Sequence, residues 1–130
     1  MAVSLDLIGI VTTDLARSVA FYRALGIETP EISGSEPHVE VVLPNGLRLA
    51  WDTLDTIRSF DPDFTQAAGG HPVALAFATA SPSDVDALYK TVVAAGFHGH
   101  KEPWDAVWGQ RYAIVHDPDG NTVDLFAPLP

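Results

Sequence analysis

The chain has 130 residues, a length that suits one compact domain, and 47% of them are apolar, which is enough to build a hydrophobic core. Seventeen acidic against seven basic residues give a formal net charge of −10, which disfavours binding to nucleic acid or to anionic membranes. No cysteine is present, so disulfides, a thiolate nucleophile and a cysteine metal site are excluded. The N-terminal segment lacks a basic region and contains Asp6, so it predicts a strand rather than a signal peptide, and we expect a cytoplasmic protein.

The first half predicts the order β-α-β-β-β. An apolar, β-branched strand over residues 5–11 is followed by a helix that begins at the N-cap Asp14 and ends at Gly26. Strands are predicted over 28–33, 38–43 and 47–52, and the Asn45-Gly46 pair between the last two is typical of a two-residue hairpin. A short helical turn over 54–60 and a linker over 61–70 complete this half.

The second half repeats the same plan. A strand over 73–79 leads to a helix that is capped by Ser81, has Pro82 at its first position and ends at Gly96. Strands are predicted over 98–101, 112–116 and 122–126, and the last two are joined by an Asp-Gly turn at 119–120. The segment 101–112 is predicted to be loop-like.

The two halves can be superimposed along the sequence. Gly26 corresponds to Gly96 and Gly46 to Gly120, so both helices end in glycine and both last hairpins turn on an Asx-Gly pair. Neither half can bury its sheet alone, and an internal duplication explains the pattern. We therefore predict an α+β fold of two βαβββ modules in a single domain over 1–130, with module one at about 1–60, a linker at about 61–70 and module two at about 71–130.

Two motifs carry a resemblance to a known family. The run DLARSVAFYRALG over 14–26 and the run DPDGNTVDLF over 117–126 are similar to the vicinal oxygen chelate superfamily. That group includes glyoxalases, extradiol dioxygenases, fosfomycin-modifying enzymes and bleomycin-type resistance proteins. The resemblance implies paired half-barrels around a cleft, usually in a homodimer.

The resemblance also implies where a metal would be held in the family's enzymes. One ligand comes from each of four strands, and the corresponding positions here are Leu7, Ala50, Ala74 and Asp124. Only Asp124 carries a lone pair suited to a metal, and divalent ions need about three or more protein ligands. We therefore expect no metal and no other cofactor at these positions.

Further stretches resemble metal-free members of the superfamily that bind antibiotics, namely mitomycin-binding resistance protein and proteins that bind anthraquinone-fused enediynes. The stretches are Pro-His at 37–38, GLRLAWDT at 46–53, RSFDP at 58–62 and PWDAVWGQRY at 103–112. The resemblance implies that a planar, quinone-like molecule stacks between His38 and Trp108.

Other candidate ligand-binding residues follow from their positions. Trp51 and Trp104 fit either the core or the site, because aromatic residues fill small cores as well as binding sites. Glu40 shares a strand face with His38, where it either pairs with Arg48 across the hairpin or meets a cationic ligand. Two further residues, Arg111 and Tyr112, are candidate hydrogen-bond donors to quinone carbonyls.

The remaining histidines do not suggest a site from sequence spacing. His98, His100 and His116 lack the helical spacing typical of metal ligands, and we expect them to be surface or strand residues.

These observations favour a binding protein that sequesters an aromatic antibiotic over an enzyme. The alternative is a metal-independent lyase, isomerase or hydrolase that acts on an aromatic natural product, with Asp124, His38 or Glu40 as the acid or base. No serine lies in a Gly-x-Ser-x-Gly setting, so no nucleophilic triad is predicted. A carrier that accompanies a transporter is a third interpretation.

Overall fold

A computed structural model of the chain describes residues 2–66 and 73–130, and the chain divides into two compact units, Met1–Gln66 and Ala67–Pro130. The last part of the predicted linker and the first two residues of predicted module two lie outside the described residues. None of the helices in the described ranges is long and apolar enough to cross a membrane. The elements are, in the first unit, β1 Leu7–Thr12, α1 Leu15–Ala24, β2 His38–Val42, β3 Arg48–Thr53 and α2 Leu54–Phe60, and in the second, β4 Leu75–Ala78, α3 Pro82–Ala94, β5 His98–Ala106, β6 Gln110–His116 and β7 Thr122–Pro128.

The first unit is a three-stranded sheet with α1 packed on one face. The strand order is β1-β3-β2, with β1 parallel and β2 antiparallel to the central β3. The helix begins as predicted at Asp14, whose side chain accepts a hydrogen bond from the Arg17 backbone N–H. Tyr22 of α1 meets Trp51 of β3 edge to face, with 5.6 Å between ring centroids, and both residues are fully buried. This contact forms the centre of the unit's core.

The second unit is a four-stranded sheet of order β4-β7-β6-β5, covered on one face by α3. The Ser81 side chain accepts a hydrogen bond from the Asp84 backbone N–H, and Pro82 begins the helix, as the sequence predicts. The core between helix and sheet consists of apolar side chains that are fully buried: Val85, Val92, Val115, Val123 and Leu125.

This architecture confirms the α+β class and the two βαβββ-like modules, with one difference in the first. The predicted strand over 28–33 is wrong, because the structure gives these residues no strand conformation. Pro30 has no N–H to offer a sheet, and Arg23 of α1 binds this segment instead. Its Nε donates to the Thr29 hydroxyl at 2.9 Å and its Nη2 to the Pro30 carbonyl at 3.1 Å.

The predicted loop over 101–112 is also wrong. Strand β5 runs from His98 to Ala106, and only residues 107–109 form a turn before β6. Pro103 is accommodated because β5 is an edge strand, where a missing N–H need not interrupt a ladder. Two register shifts, between Gly99 and Lys101 and between Lys101 and Trp104, absorb the irregularity.

Both Asx-Gly hairpins have three-residue loops, one residue more than the two-residue hairpin predicted at Asn45-Gly46. Gly46 donates its backbone N–H to the Leu43 carbonyl at 2.8 Å, and Gly120 donates to the Asp117 carbonyl at 2.9 Å. Both glycines have a positive φ, whereas the asparagine and aspartate before them do not, so neither turn is of type I′. The matching pair of Pro-Asx-Gly turns supports the duplication inferred from the sequence.

Candidate functional site

His38 lies in an ionic network on the sheet face of the first unit that is opposite α1. It pairs across the sheet with Asp52, and its Nδ1 is 2.6 Å from Asp52 Oδ1. Its Nε2 is 3.5 Å from Glu40 Oε2. The hydrogen bond to Asp52, together with the negative charges of Asp52 and Glu40, raises the pKa of His38 above its usual value although partial burial opposes this. The network therefore favours an imidazolium cation with an accessible ring.

Glu40 and Arg48 form an ion pair, which is one of the two roles that the sequence left open for Glu40. Arg48 Nη1 donates to Glu40 Oε2 at 3.0 Å, and Arg48 Nη2 donates to Asp6 Oδ2 at 2.6 Å. His38, Glu40, Arg48 and Asp52 alternate along β2 and β3 with the buried Val39, Leu49 and Trp51, so they share one face of the sheet.

Trp51 lies on the opposite face from this network. Its side chain is 0% exposed and packs against Tyr22 of α1. Of the two interpretations that the sequence left open for this residue, the structure shows the core.

Three of the predicted site residues come together in the second unit as an aromatic cluster, which we define as Trp104, Trp108, Tyr112 and Phe126. Trp104 and Phe126 lie on the strands that flank Tyr112, paired with it on either side. Trp108 lies in the β5–β6 turn with its ring centroid 5.3 Å from Tyr112 and 6.0 Å from Trp104, in both cases edge to face. The Trp108 side chain donates from Nε1 to Gln110 Oε1 at 2.9 Å and is still 58% exposed.

A half-buried carboxylate, that of Asp124, lies beside the aromatic cluster. The Tyr112 hydroxyl donates to Asp124 Oδ2 at 2.5 Å. Burial, followed by the hydrogen bond and charge of Asp124, raises the pKa of Tyr112 to about 12. The second oxygen, Asp124 Oδ1, is buried and has no hydrogen-bond partner among the described residues. A buried acceptor without a donor is costly, so this oxygen is suited to a donor supplied by a ligand.

Arg111 does not join Tyr112 as a donor on this face. Neighbouring residues of a strand point to opposite faces, and Arg111 points toward α3. Its Nε and Nη2 donate to the two carboxylate oxygens of Asp86 at 2.9 and 3.1 Å, and its Nη1 donates to Asp105 at 3.1 Å. The guanidinium therefore joins α3 to the sheet, and all three of its nitrogens already donate to carboxylates.

The predicted pair of stacking residues is divided between the units. His38 belongs to the first unit and Trp108 to the second, and the stacking of one ligand between them stays a prediction.

The four positions at which the resemblance implies metal ligands do not fit a metal. The parallel pairs Gly9–Ala50 and Ala76–Asp124 occupy equivalent places in the two sheets, which supports the alignment of Ala50 with Asp124. Ala50 is fully buried, and its side chain has no atom that could coordinate a metal. The side chains of Leu7 and Ala74 have none either. Asp124 is already engaged by Tyr112. One carboxylate with three apolar side chains cannot hold a divalent ion against water.

Sequence reasoning missed several residues that complete these groups. Asp52 was recognisable as the partner of His38, because the two lie equally far from Asn45 at the centre of the hairpin. Phe126 could be placed beside Tyr112 only once the register between β6 and β7 was known. The three histidines His98, His100 and His116 converge on one face of the β5–β6 hairpin, which the prediction of a loop over 101–112 concealed.

A separate hollow of about 500 Å³ lies in the first unit, between the loop before β2 and α2. Polar side chains such as Ser35, Glu36 and Thr56 line it, and none of the residues predicted to bind a ligand does so.

Comparisons with known proteins agree with the fold. A solved glyoxalase/bleomycin resistance protein/dioxygenase from Nocardioides is 26% identical, with a TM-score of 0.78, over 99% of this chain and 85% of that chain. A glyoxalase/bleomycin resistance protein/dioxygenase family enzyme from Burkholderia phytofirmans PsJN is 21% identical, with a TM-score of 0.84, over 98% of this chain and 100% of that one. TioX from Micromonospora sp. ML1 is 23% identical, with a TM-score of 0.64, over 97% of this chain and 99% of that one. The last two likenesses concern the fold alone.

No curated protein matches the chain. The narrower resemblance to mitomycin-binding and enediyne-binding proteins stays a prediction. The family as a whole is shown more directly, because the sequence model of the Glyoxalase/Bleomycin resistance protein/Dioxygenase superfamily matches residues 4–125. The chain therefore belongs to this superfamily, which is also called the vicinal oxygen chelate superfamily.

Proposed function

We propose that the chain binds a planar aromatic molecule of quinone type on the aromatic cluster and sequesters it without a metal. The observation that carries the proposal is the exposed Trp108 ring beside Trp104 and Tyr112 on one sheet face. Large apolar side chains grouped at a surface are typical of a binding site.

The arrangement of the rings supports stacking by a flat ligand. The three rings meet edge to face, so a flat molecule can lie against Trp108 without displacing a stacked neighbour. Each good aromatic contact contributes about 0.5–1.5 kcal/mol, and apolar burial adds about 25 cal/mol per Å². A tricyclic quinone that covers Trp108 gains from both effects.

Polar groups beside the rings select the ligand's substituents. Asp124 Oδ1 is buried and has no hydrogen-bond partner in the ranges 2–66 and 73–130, so a hydroxyl or amine of the ligand would supply the missing hydrogen bond. The net charge of −10 favours neutral or cationic molecules over anionic ones. The sequence resemblance adds His38, whose ring nitrogens face Asp52 and Glu40, as a second stacking residue, and this part of the proposal rests on the resemblance alone.

Sequestration of an antibiotic is the biological role that we propose for this binding. The superfamily includes bleomycin resistance proteins, and the stretches at 46–53 and 103–112 resemble proteins that bind mitomycin and anthraquinone-fused enediynes. Binding in the cytoplasm of a producer or neighbouring bacterium would keep the drug from its target. A homodimer in which both chains line the site is part of the same proposal.

The alternative of a metal-independent enzyme would need an acid or base in the site, and the Tyr112–Asp124 pair at 2.5 Å is the candidate. Acid–base catalysis works best when the pKa lies near the working pH. The pKa of Tyr112 is raised to about 12, so this hydroxyl keeps its proton at neutral pH and serves as a fixed donor to Asp124. We therefore prefer binding to turnover.

The test is a titration of tryptophan fluorescence with mitomycin C and with an anthraquinone, followed by chromatography of the ligand after long incubation. We expect saturable quenching at one ligand per chain and recovery of the ligand unchanged. A new product would establish the enzyme instead, and lack of quenching by both probes would refute the proposal.

A further inference from the structure

Three histidines form a cluster on the open face of the second unit, at the end of the β5–β6 hairpin that is far from Trp108. We call His98, His100 and His116 the histidine cluster. One ring nitrogen from each lies within 4.8 Å of the others. The rings of His100 and His116 are stacked with centroids 4.3 Å apart, and the ring of His98 lies 5.1 Å from that of His116.

The sheet itself brings these rings together. His98 is paired directly with His116 on the neighbouring strand. The register shift after Gly99 makes His100 the extra residue of a bulge, and such bulges redirect a side chain. The result is a convergence of three imidazoles from two adjacent strands.

The backbone beneath the cluster is fixed by α3. Gly99 lies between the two histidines of β5 and faces the helix. A Cβ at this position would overlap the Tyr89 hydroxyl and lie 2.9 Å from Val93 Cγ2. The absence of a Cβ at Gly99 therefore allows β5 to pack closely against α3 at the cluster.

The geometry is close to that of a metal site. Zn–N bonds of about 2.0–2.1 Å in a tetrahedron place ligand nitrogens about 3.3 Å apart. The ring nitrogens now lie within 4.8 Å of one another, so binding requires the exposed His98 and His100 side chains to rotate toward the half-buried His116. Three protein ligands leave a fourth position for water.

The chemistry of the donors decides the kind of ion. Neutral imidazoles suit zinc, copper and nickel, whereas magnesium and calcium require oxygen ligands.

We propose that the histidine cluster binds one ion of a borderline transition metal, such as Zn²⁺, through three imidazoles with an open fourth position. The site is distinct from the family's metal positions, which correspond here to Leu7, Ala50, Ala74 and Asp124. It is also independent of the proposed binding of an aromatic molecule.

The experiment is calorimetric titration of the untagged, chelator-treated chain with zinc chloride, together with histidine ring signals in NMR spectra. We expect one Zn²⁺ per chain, and shifts confined to the signals of His98, His100 and His116. His116→Ala and His98→Asn should each weaken Zn²⁺ binding by about a hundredfold. Loss of a group that only supports a metal ligand already weakens metal binding by up to about a hundredfold, and loss of a ligand itself should cost at least as much. His98 is exposed, so His98→Asn keeps the test valid if His116→Ala does not fold.

Two control variants separate this site from others. His38→Gln and Asp124→Asn should bind Zn²⁺ as tightly as the original chain, because neither belongs to the histidine cluster. Absence of Zn²⁺ binding, or binding that both histidine variants leave unchanged, would overturn the proposal. Loss of binding in Asp124→Asn would also overturn it, because the metal would then be held near the family's position.

Discussion

Replacement of Trp108 by alanine separates a ligand-binding tryptophan from a structural one. The side chain is 58% exposed, which leaves 42% of its surface buried. Of about 250 Å² that a tryptophan can bury, this amounts to about 100 Å², or an upper limit of about 2.5 kcal/mol at 25 cal/mol per Å². Because the unfolded chain already buries part of that area, we expect a loss of unfolding free energy of about 2 kcal/mol or less.

The loss of affinity should be large by comparison. An aromatic anchor at the centre of a site typically contributes about 2 kcal/mol or more, so Trp108→Ala should raise the dissociation constant for an anthraquinone at least about thirtyfold. The assay is a calorimetric titration well below the melting temperature, with urea unfolding of the same samples. Val107→Ala is the matched control, because Val107 lies in the same turn, is 101% exposed and has no ring to stack.

Two results would refute this reasoning. One is an unchanged affinity in Trp108→Ala, which would remove this ring from the site. The other is an equal loss in Val107→Ala, which would show that the turn acts through its conformation rather than through the indole.

Three further predictions concern the core, the His38–Asp52 ion pair and the oligomeric state. Trp51→Ala should lower the free energy of unfolding by about 3–5 kcal/mol, measured in urea, because Trp51 is fully buried; a loss below about 1 kcal/mol would contradict a core role. The pKa of His38 is raised above 6.5 by Asp52, so the ion pair stabilises the fold below about pH 6.5 and this contribution disappears as the pH rises through the folded-state pKa. Asp52→Asn should therefore be less stable than the original chain mainly at the acidic end of a urea series from about pH 5 to 8, and a constant difference would refute the ion pair. Sedimentation should show a homodimer at micromolar concentration, since a two-fold pairing of chains would cover exposed sheet edges; a monomer would contradict it.

Much of the fold was predictable because local chemistry determines it. Asp14 and Ser81 cap the two long helices, and their N-cap hydrogen bonds are as the side chains require. Gly26 and Gly96 end the same helices with a positive φ. These signals need no knowledge of distant residues, which is why they could be read from a single sequence.

The candidate site was less predictable because it depends on pairing between strands. The stretch around Pro103 was interpreted as a loop, and the interpretation concealed a strand with two register shifts. Because residues 110–112 belong to strand β6 rather than to a loop, the two candidate donors Arg111 and Tyr112 point to opposite faces of the sheet. The direct pairing of His98 with His116 likewise depends on the β5–β6 register.

The most direct test of the proposed binding is an NMR titration that follows the indole N–H signals of the three tryptophans as an anthraquinone is added. Trp104 and Trp108 lie in the aromatic cluster, whereas Trp51 is fully buried in the core of the other unit. The ring current of a stacked ligand should move the signals of Trp104 and Trp108, saturating at one ligand per chain, and leave that of Trp51 in place. Saturable binding in which neither Trp104 nor Trp108 moves would contradict the account.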